Sequence, residues 1–205
     1  MSRRITIHPV SPQQRLLDQA VEALRAGELV VYPTDSGYAF GFALDARSAL
    51  DRVVRLRQLK PRHNFTLACR DLKQIGHYAR VEDAAFRLMR SHVPGAYTFI
   101  LPASTLVPKR VVTEKRRSIG VRVPDHKVAQ ALIETLGEPI VSSSLLLPSQ
   151  DLHGMEIDEL AEVLEQHVDV FIDAGHCGFD PTTVVSMIDQ PYEVLRYGSG
   201  PVDWE

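Results

Sequence analysis

Apolar and polar positions along this chain switch between a helical and a strand period. Leu16, Leu17, Ala20, Val21 and Leu24 recur at helical spacing, with Ser11 as a cap, Pro12 at the first helical position and Gly27 as an end. Leu29 to Tyr32 is a short continuous apolar run that predicts a buried strand, stopped by Pro33, which has no backbone donor. Asp45 can cap the next helix, on which Leu50, Val53, Val54 and Arg57 share a side. Phe65 to Cys69 predicts a strand, Asp71 starts a short helix, and Ala84 to Met89 belongs to a helix closed by Pro94-Gly95. Tyr97 to Leu101 reads as a strand, and Lys109 to Ser118 as an exposed basic loop or short helix. Ile119 to Val123 returns to a strand, followed by a helix over Val128 to Leu136, a strand over Ile140 to Ser143 and a helix over Glu156 to Gln166. Strands at Val168 to Ile172, Thr183 to Ile188 and Glu193 to Arg196 close the pattern. The last two follow one another too closely for a helical crossover, so the expected architecture is a single α/β domain over residues 1–205 with a mixed sheet.

Composition excludes some classes. With 44% hydrophobic and 24% charged residues, the 205-residue chain is no disordered segment. Its apolar runs are too short to span a membrane, and Met1-Ser-Arg-Arg lacks a secretory apolar core. Cys69 and Cys177 have neither metal spacing nor a disulfide framework, which fits a reducing cytoplasm.

Charge sharpens the picture. The net value of -3 hides a stretch from Arg52 to Arg122 with 16 Lys+Arg against 4 Asp+Glu. Such segregation suggests a positive surface facing phosphate, on a nucleotide or a nucleic acid, or else a solvated basic face without a partner. Aromatic residues are not interleaved through it, so a single-strand stacking platform is not indicated.

Candidate chemistry gathers at strand ends, where open α/β sheets build pockets. Thr34, Asp35 and Ser36 follow the Leu29 strand, with Gly37 and Gly41 permitting tight turns and close ligand approach. Ser142-Ser143-Ser144 ends another strand and Pro181-Thr182-Thr183 opens one. Arg122 lies within an apolar strand and must reach solvent at a sheet edge or meet an anion, because an unpaired buried charge is costly. Arg196-Tyr-Gly-Ser-Gly200 sets an arginine beside glycines that would let phosphate approach backbone amides. There is no P-loop, Gly-x-Gly-x-x-Gly fingerprint or Gly-x-Ser-x-Gly elbow, and the eight histidines show no zinc spacing. The residues alone thus describe a pocket rich in hydroxyls and arginines, suited to an anionic ligand.

Taken in order, Tyr32-Pro-Thr-Asp-Ser-Gly-Tyr38, Pro94-Gly-Ala-Tyr-Thr-Phe-Ile-Leu101, Ser118-Ile-Gly-Val-Arg-Val-Pro124, Pro181-Thr-Thr-Val184 and Arg196-Tyr-Gly198 resemble the Sua5/YciO/YrdC family. His63-Asn-Phe-Thr-Leu67 and Ser142-Ser-Ser-Leu-Leu-Leu-Pro148 look most like its YciO branch. The resemblance implies a twisted mixed sheet of the YrdC/RibB type with a concave basic face. It also implies the family reaction, in which L-threonine, bicarbonate and ATP, with Mg²⁺ in attendance, give L-threonylcarbamoyl-adenylate and pyrophosphate. That adenylate feeds the t6A modification at position 37 of tRNA. By motif, Thr34, Tyr38, Arg122 and Thr182 would meet threonine or its carbamate. Arg57, Lys60, Arg62, Ser142, Ser144 and Arg196 would meet the nucleotide. Only five residues follow Gly200, so the extra domain of longer Sua5 members is not expected.

Two departures bear on activity. The active branch carries a Lys-x-Arg pair where this chain aligns Arg57 and Leu59, with Lys60 and Arg62 repeating the spacing three residues later. It also carries Ser-x-Asn where this chain has Ser144-Leu-Leu146. A lost donor to a buried phosphate or sugar typically costs a few kcal/mol, or about 10²-fold in rate. The alternative reading is a binder of double-stranded RNA or ribosomal RNA, held through shape and phosphate contacts on the basic face.

Overall fold

The computed structural model describes residues 2–60, 63, 65–112, 116–148, 150–152 and 154–204. Ten strands form one mixed sheet, interleaved with six helices among the described residues. In chain order these are β1 (Arg3–Thr6), α1 (Gln14–Arg25), β2 (Val30–Thr34), β3 (Gly37–Phe42), α2 (Arg47–Leu56), β4 (Thr66–Ala68), α3 (Leu72–Tyr78) and α4 (Asp83–His92). They continue with β5 (Tyr97–Pro102), β6 (Ser118–Arg122), α5 (Lys127–Leu136), β7 (Ile140–Ser144), α6 (Ile157–Leu164), β8 (Val170–Asp173), β9 (Thr183–Ser186) and β10 (Glu193–Arg196). Across the sheet the order is β1-β8-β2-β3-β7-β4-β6-β5-β9-β10. Four pairings are parallel (β1·β8, β2·β8, β4·β6, β5·β9) and the rest are antiparallel. No helix among the described residues is long and apolar enough to cross a membrane.

Strand alternation sends successive side chains to opposite faces, and the two cores follow from it. Val30 and Tyr32, Ile140, and Val170 and Ile172 share a core with the apolar stripes of α1 and α5. Their neighbours Val31, Val141 and Phe171 join the buried residues of α2, α3, α4 and α6 in the other core. The same alternation makes room for a site. On β5, Tyr97, Phe99 and Leu101 enter the second core, so Thr98 and Ile100 point the other way. On β6, Ile119 and Val121 do the same and release Gly120 and Arg122. Over these strands the face that α1 and α5 cover elsewhere carries small, polar and cationic side chains, and a cavity opens there.

Several expected boundaries are corrected. Ser11 does not cap α1, which begins at Gln14; Ser11 and Val10 instead donate their amides to His8 Nδ1. Ala46 rather than Asp45 precedes α2, without a side-chain cap. Asp71 does cap α3, accepting the Gln74 amide at 2.7 Å. Val111 and Val112 are buried, so the basic stretch after Lys109 is not wholly exposed. Pro33 does not stop its strand. Parallel pairing of β2 with β8 covers Val30 and Val31 only, so at Pro33 no ladder on that side needs a donor. β2 therefore runs on to Thr34 and turns through Asp35-Ser36 into β3, a strand the sequence pattern did not reveal. β1 was also missed. Gly41 stands within β3 with the Tyr32 ring 2.8 Å from where its Cβ would be, so it admits a side chain and no ligand.

Candidate active site

The cavity has a volume of about 310 Å³ and an adjoining lobe of about 190 Å³ that runs past Leu145, Leu147, Leu152 and Phe179. The β2–β3 turn forms one wall. Thr34 Oγ1 donates to the Gly37 carbonyl at 2.6 Å and accepts the Ser36 amide at 3.2 Å, which fixes the turn. Arg122 rises from β6 beneath it. Its Nη2 donates to Asp35 Oδ1 at 2.5 Å and its Nη1 to Ser36 Oγ at 2.7 Å. Arg122 is 6% exposed and β6 is an interior strand, which removes the sheet-edge alternative. The anion it meets within the protein is Asp35.

Arg57, just past the end of α2, forms the opposite side and donates from Nη1 to Ser143 Oγ at 2.5 Å. Burial lowers its pKa. His63 lies alongside, edge-on to Phe65 with ring centroids 5.2 Å apart. Burial first, and the Arg57 charge second, push the His63 pKa down to about 4, so its ring is neutral near pH 7. The third wall is made by β9 and β10. Thr182 and Thr98 share a hydroxyl hydrogen bond at 2.9 Å. Arg196 donates from Nε and Nη2 to the Thr182 carbonyl, at 3.0 and 2.8 Å, and from Nη2 to Thr182 Oγ1 at 3.0 Å. The register between β9 and β10 shifts between Val194 and Arg196. A bulge of this kind re-aims side chains, and the consecutive residues Leu195 and Arg196 both reach the cavity.

Three guanidinium groups from distant parts of the chain therefore line one cavity. Among the described residues, the buried Nε atoms of Arg57 and Arg122 find no acceptor. Asp35 Oδ2 likewise finds no donor, so both partners of the Asp35–Arg122 pair keep unused hydrogen-bonding capacity.

Of the residues named from sequence, Thr34, Tyr38, Arg57, Arg122, Ser142, Ser144, Thr182 and Arg196 line the cavity. Lys60 is exposed and does not; Arg62 lies outside the described residues. Two roles are narrower than expected. Tyr38 Oη donates to the Gly175 carbonyl at 2.7 Å and accepts the Ala174 amide at 3.1 Å, so Tyr38 offers the cavity chiefly its ring; burial raises its pKa. Ser142 Oγ accepts from Tyr32 Oη at 2.8 Å, and burial pushes that phenol up to about 12. The Gly198 and Ser199 amides are not open to phosphate, because Gly198 N donates to Thr183 Oγ1 and Ser199 N to the Pro181 carbonyl. Ser36 and Ser143, named from sequence among the strand-end hydroxyls, line the cavity as well, whereas Thr66, Thr98 and Leu195 were not singled out and His63 was given no role. No carboxylate is among the lining residues, and no cluster of three or more His, Cys, Asp or Glu fit for a metal occurs among the described residues. The lining does not fit a Mg²⁺ ion held by the protein.

The Sua5/yciO/yrdC family model, described as telomere recombination, matches residues 22–198. The chain belongs to the Sua5/YciO/YrdC family. It is 48% identical over 202 residues to the uncharacterized protein YciO of Escherichia coli, covering 98% of each chain. The crystal structure of that YciO superposes with a TM-score of 0.94 over 99% of this chain and 98% of its own. A threonylcarbamoyl-AMP synthase of Vibrio vulnificus is 33% identical over 137 residues, 65% of this chain and 73% of the relative. The crystal structure of P. abyssi Sua5 complexed with L-threonine superposes with a TM-score of 0.85 at 25% identity, over 96% of this chain and 58% of that longer protein. Within the family frame, Leu146 stands on the cavity wall, whereas Leu59 packs against the core.

Proposed function

We propose that this protein is an L-threonylcarbamoyladenylate synthase, slowed by its altered nucleotide contacts. The observation that carries the reading is the convergence of Arg57, Arg122 and Arg196 on one hydroxyl-lined cavity. The threonylcarbamoyl-AMP synthase among its relatives and the L-threonine bound to P. abyssi Sua5 supply the chemistry. L-Threonine condenses with bicarbonate to a carbamate and water. A carbamate oxygen then attacks the α-phosphorus of ATP and pyrophosphate leaves. Thr34, Tyr38, Arg122 and Thr182 take threonine and the carbamate, with Arg122 oriented by Asp35 and Ser36. Arg57, Ser142, Ser144 and Arg196 take the nucleotide, their cationic edges stabilising charge that moves onto the leaving group. At Leu146 the wall presents methyl groups where an amide would hydrogen-bond, which accounts for the slower rate.

The test is release of pyrophosphate from ATP and Mg²⁺, with and without L-threonine and bicarbonate, beside an active family member. Release that requires both is expected. A folded protein that releases none would overturn the reading, and salt-sensitive binding of double-stranded RNA by that same preparation would favour the RNA alternative.

A further inference from the structure

Beyond Arg196 the chain is fastened along the back of the cavity wall. Gly198 N donates to Thr183 Oγ1 at 3.0 Å, Ser199 N to the Pro181 carbonyl at 2.9 Å, and Thr183 Oγ1 to the Gly200 carbonyl at 2.6 Å. At Gly198 an added Cβ would stand 2.2 Å from the Pro181 carbonyl oxygen, so the two backbone segments touch with no side chain between them. Tyr97, next in sequence to the lining residue Thr98, donates from Oη to the Pro201 carbonyl at 2.7 Å. The far end closes on an aromatic cluster. His92 lies edge-on between Trp204, at 4.5 Å, and Tyr97, at 5.1 Å. Its Nε2 pairs with Asp203 Oδ1 at 2.9 Å, and its Nδ1 bonds the Leu88 carbonyl at 2.7 Å.

We infer that Trp204, the chain's single tryptophan, is a positioning residue for the nucleotide side of the cavity. Packed on His92 and Tyr97, it holds residues 196–204 as a strap. The inner end of the strap fixes Thr182 and the Arg196 guanidinium that grips it. A guanidinium already held by two of its nitrogens keeps its remaining edge oriented for an anion and loses less freedom on binding. Trp204 does this without lining the cavity. The inference rests on the reading that the cavity binds ATP.

Trp204→Ala is expected to raise the Kd for ATP about tenfold in isothermal titration while the thermal midpoint barely moves, with Trp204→Phe within about twofold of wild type. An unchanged Kd in Trp204→Ala would overturn the inference. Amide hydrogen exchange supplies a readout that needs no ligand. Trp204→Ala is expected to speed exchange at Thr183, Gly198 and Ser199 and leave β6 and β7 unchanged. Unaltered exchange, or faster exchange throughout the sheet, counts against the strap. Should wild type bind no ATP, the nucleotide reading fails, and the exchange result alone judges the strap.

Discussion

Leu146 and Leu59 stand where active relatives are expected to carry polar groups, yet they have different consequences. Leu59 is partly buried against the core, so a cation there would lose apolar packing. Leu146 is 53% exposed on the cavity wall, and changing it should alter chemistry more than stability. Leu146→Asn is expected to shift unfolding free energy by no more than about 0.5 kcal/mol. It should also speed threonine-dependent pyrophosphate release by about tenfold or more, with 10²-fold as the ceiling for one recovered contact. An unchanged rate would show that Leu146 does not limit turnover. Most single residues of the site were legible because arginines and hydroxyls at strand ends stand out against apolar runs. Thr66 and Thr98 were not, because a threonine inside a strand looks the same whether it faces a helix or a cavity. Only the sheet decides which.

The β2–β3 hairpin and β6 show how elements make the site together. Reading Pro33 as a strand end hid β3, because the pattern cannot tell which flank of a strand lacks a neighbour. Yet this hairpin brings Asp35 onto Arg122 from a position 87 residues away. The side chains of the pair are only 13% and 8% exposed. Arg122→Ala therefore does more than remove a ligand contact, since it leaves a buried carboxylate unpaired. It is expected to lower stability by about 3–5 kcal/mol, with the double variant Asp35→Ala/Arg122→Ala recovering part of that loss. Urea unfolding of wild type, Asp35→Ala, Arg122→Ala and the double variant measures the coupling, and strict additivity would mean that the pair does not act as a unit. The bulge that brings Leu195 and Arg196 to the same cavity was equally hidden, because it breaks the two-residue period on which strand reading depends.

For the molecule as a whole, the helix and strand succession was legible apart from β1 and β3, and the strand order was not. Periodicity reports which residues are buried, but says nothing of which strands lie side by side. Segregated charge was legible too, although its deployment is mixed: Arg57 and Arg122 reach the cavity, while Arg52 pairs with Asp169, Arg70 with Asp71 and Arg116 with Asp189. Whole-molecule stability should respond to His63. Its folded pKa of about 4 lies below the ordinary 6.5, so between these values the unfolded chain binds a proton that the folded chain refuses. Stability is expected to be full above pH 6.5 and to fall as the pH drops toward 4. Burial lowers the His126 pKa and adds in the same direction, against smaller opposing effects of Asp35 and Asp125. Urea midpoints between pH 7.5 and 4.5 should fall less steeply for His63→Gln than for wild type, and equal slopes would remove His63 from the account.

The sheet order also sets a timetable for synthesis. β5 pairs on one side with β6 and on the other with β9, which the ribosome delivers some 80 residues later. Until then a growing chain carries Tyr97–Pro102 as an unpaired edge, a template for wrong partners. The cavity also lacks Thr182 and Arg196 throughout that interval. A nascent or prematurely ended chain would thus be both sticky and unable to hold substrate, and binding competence would arrive together with the last strands.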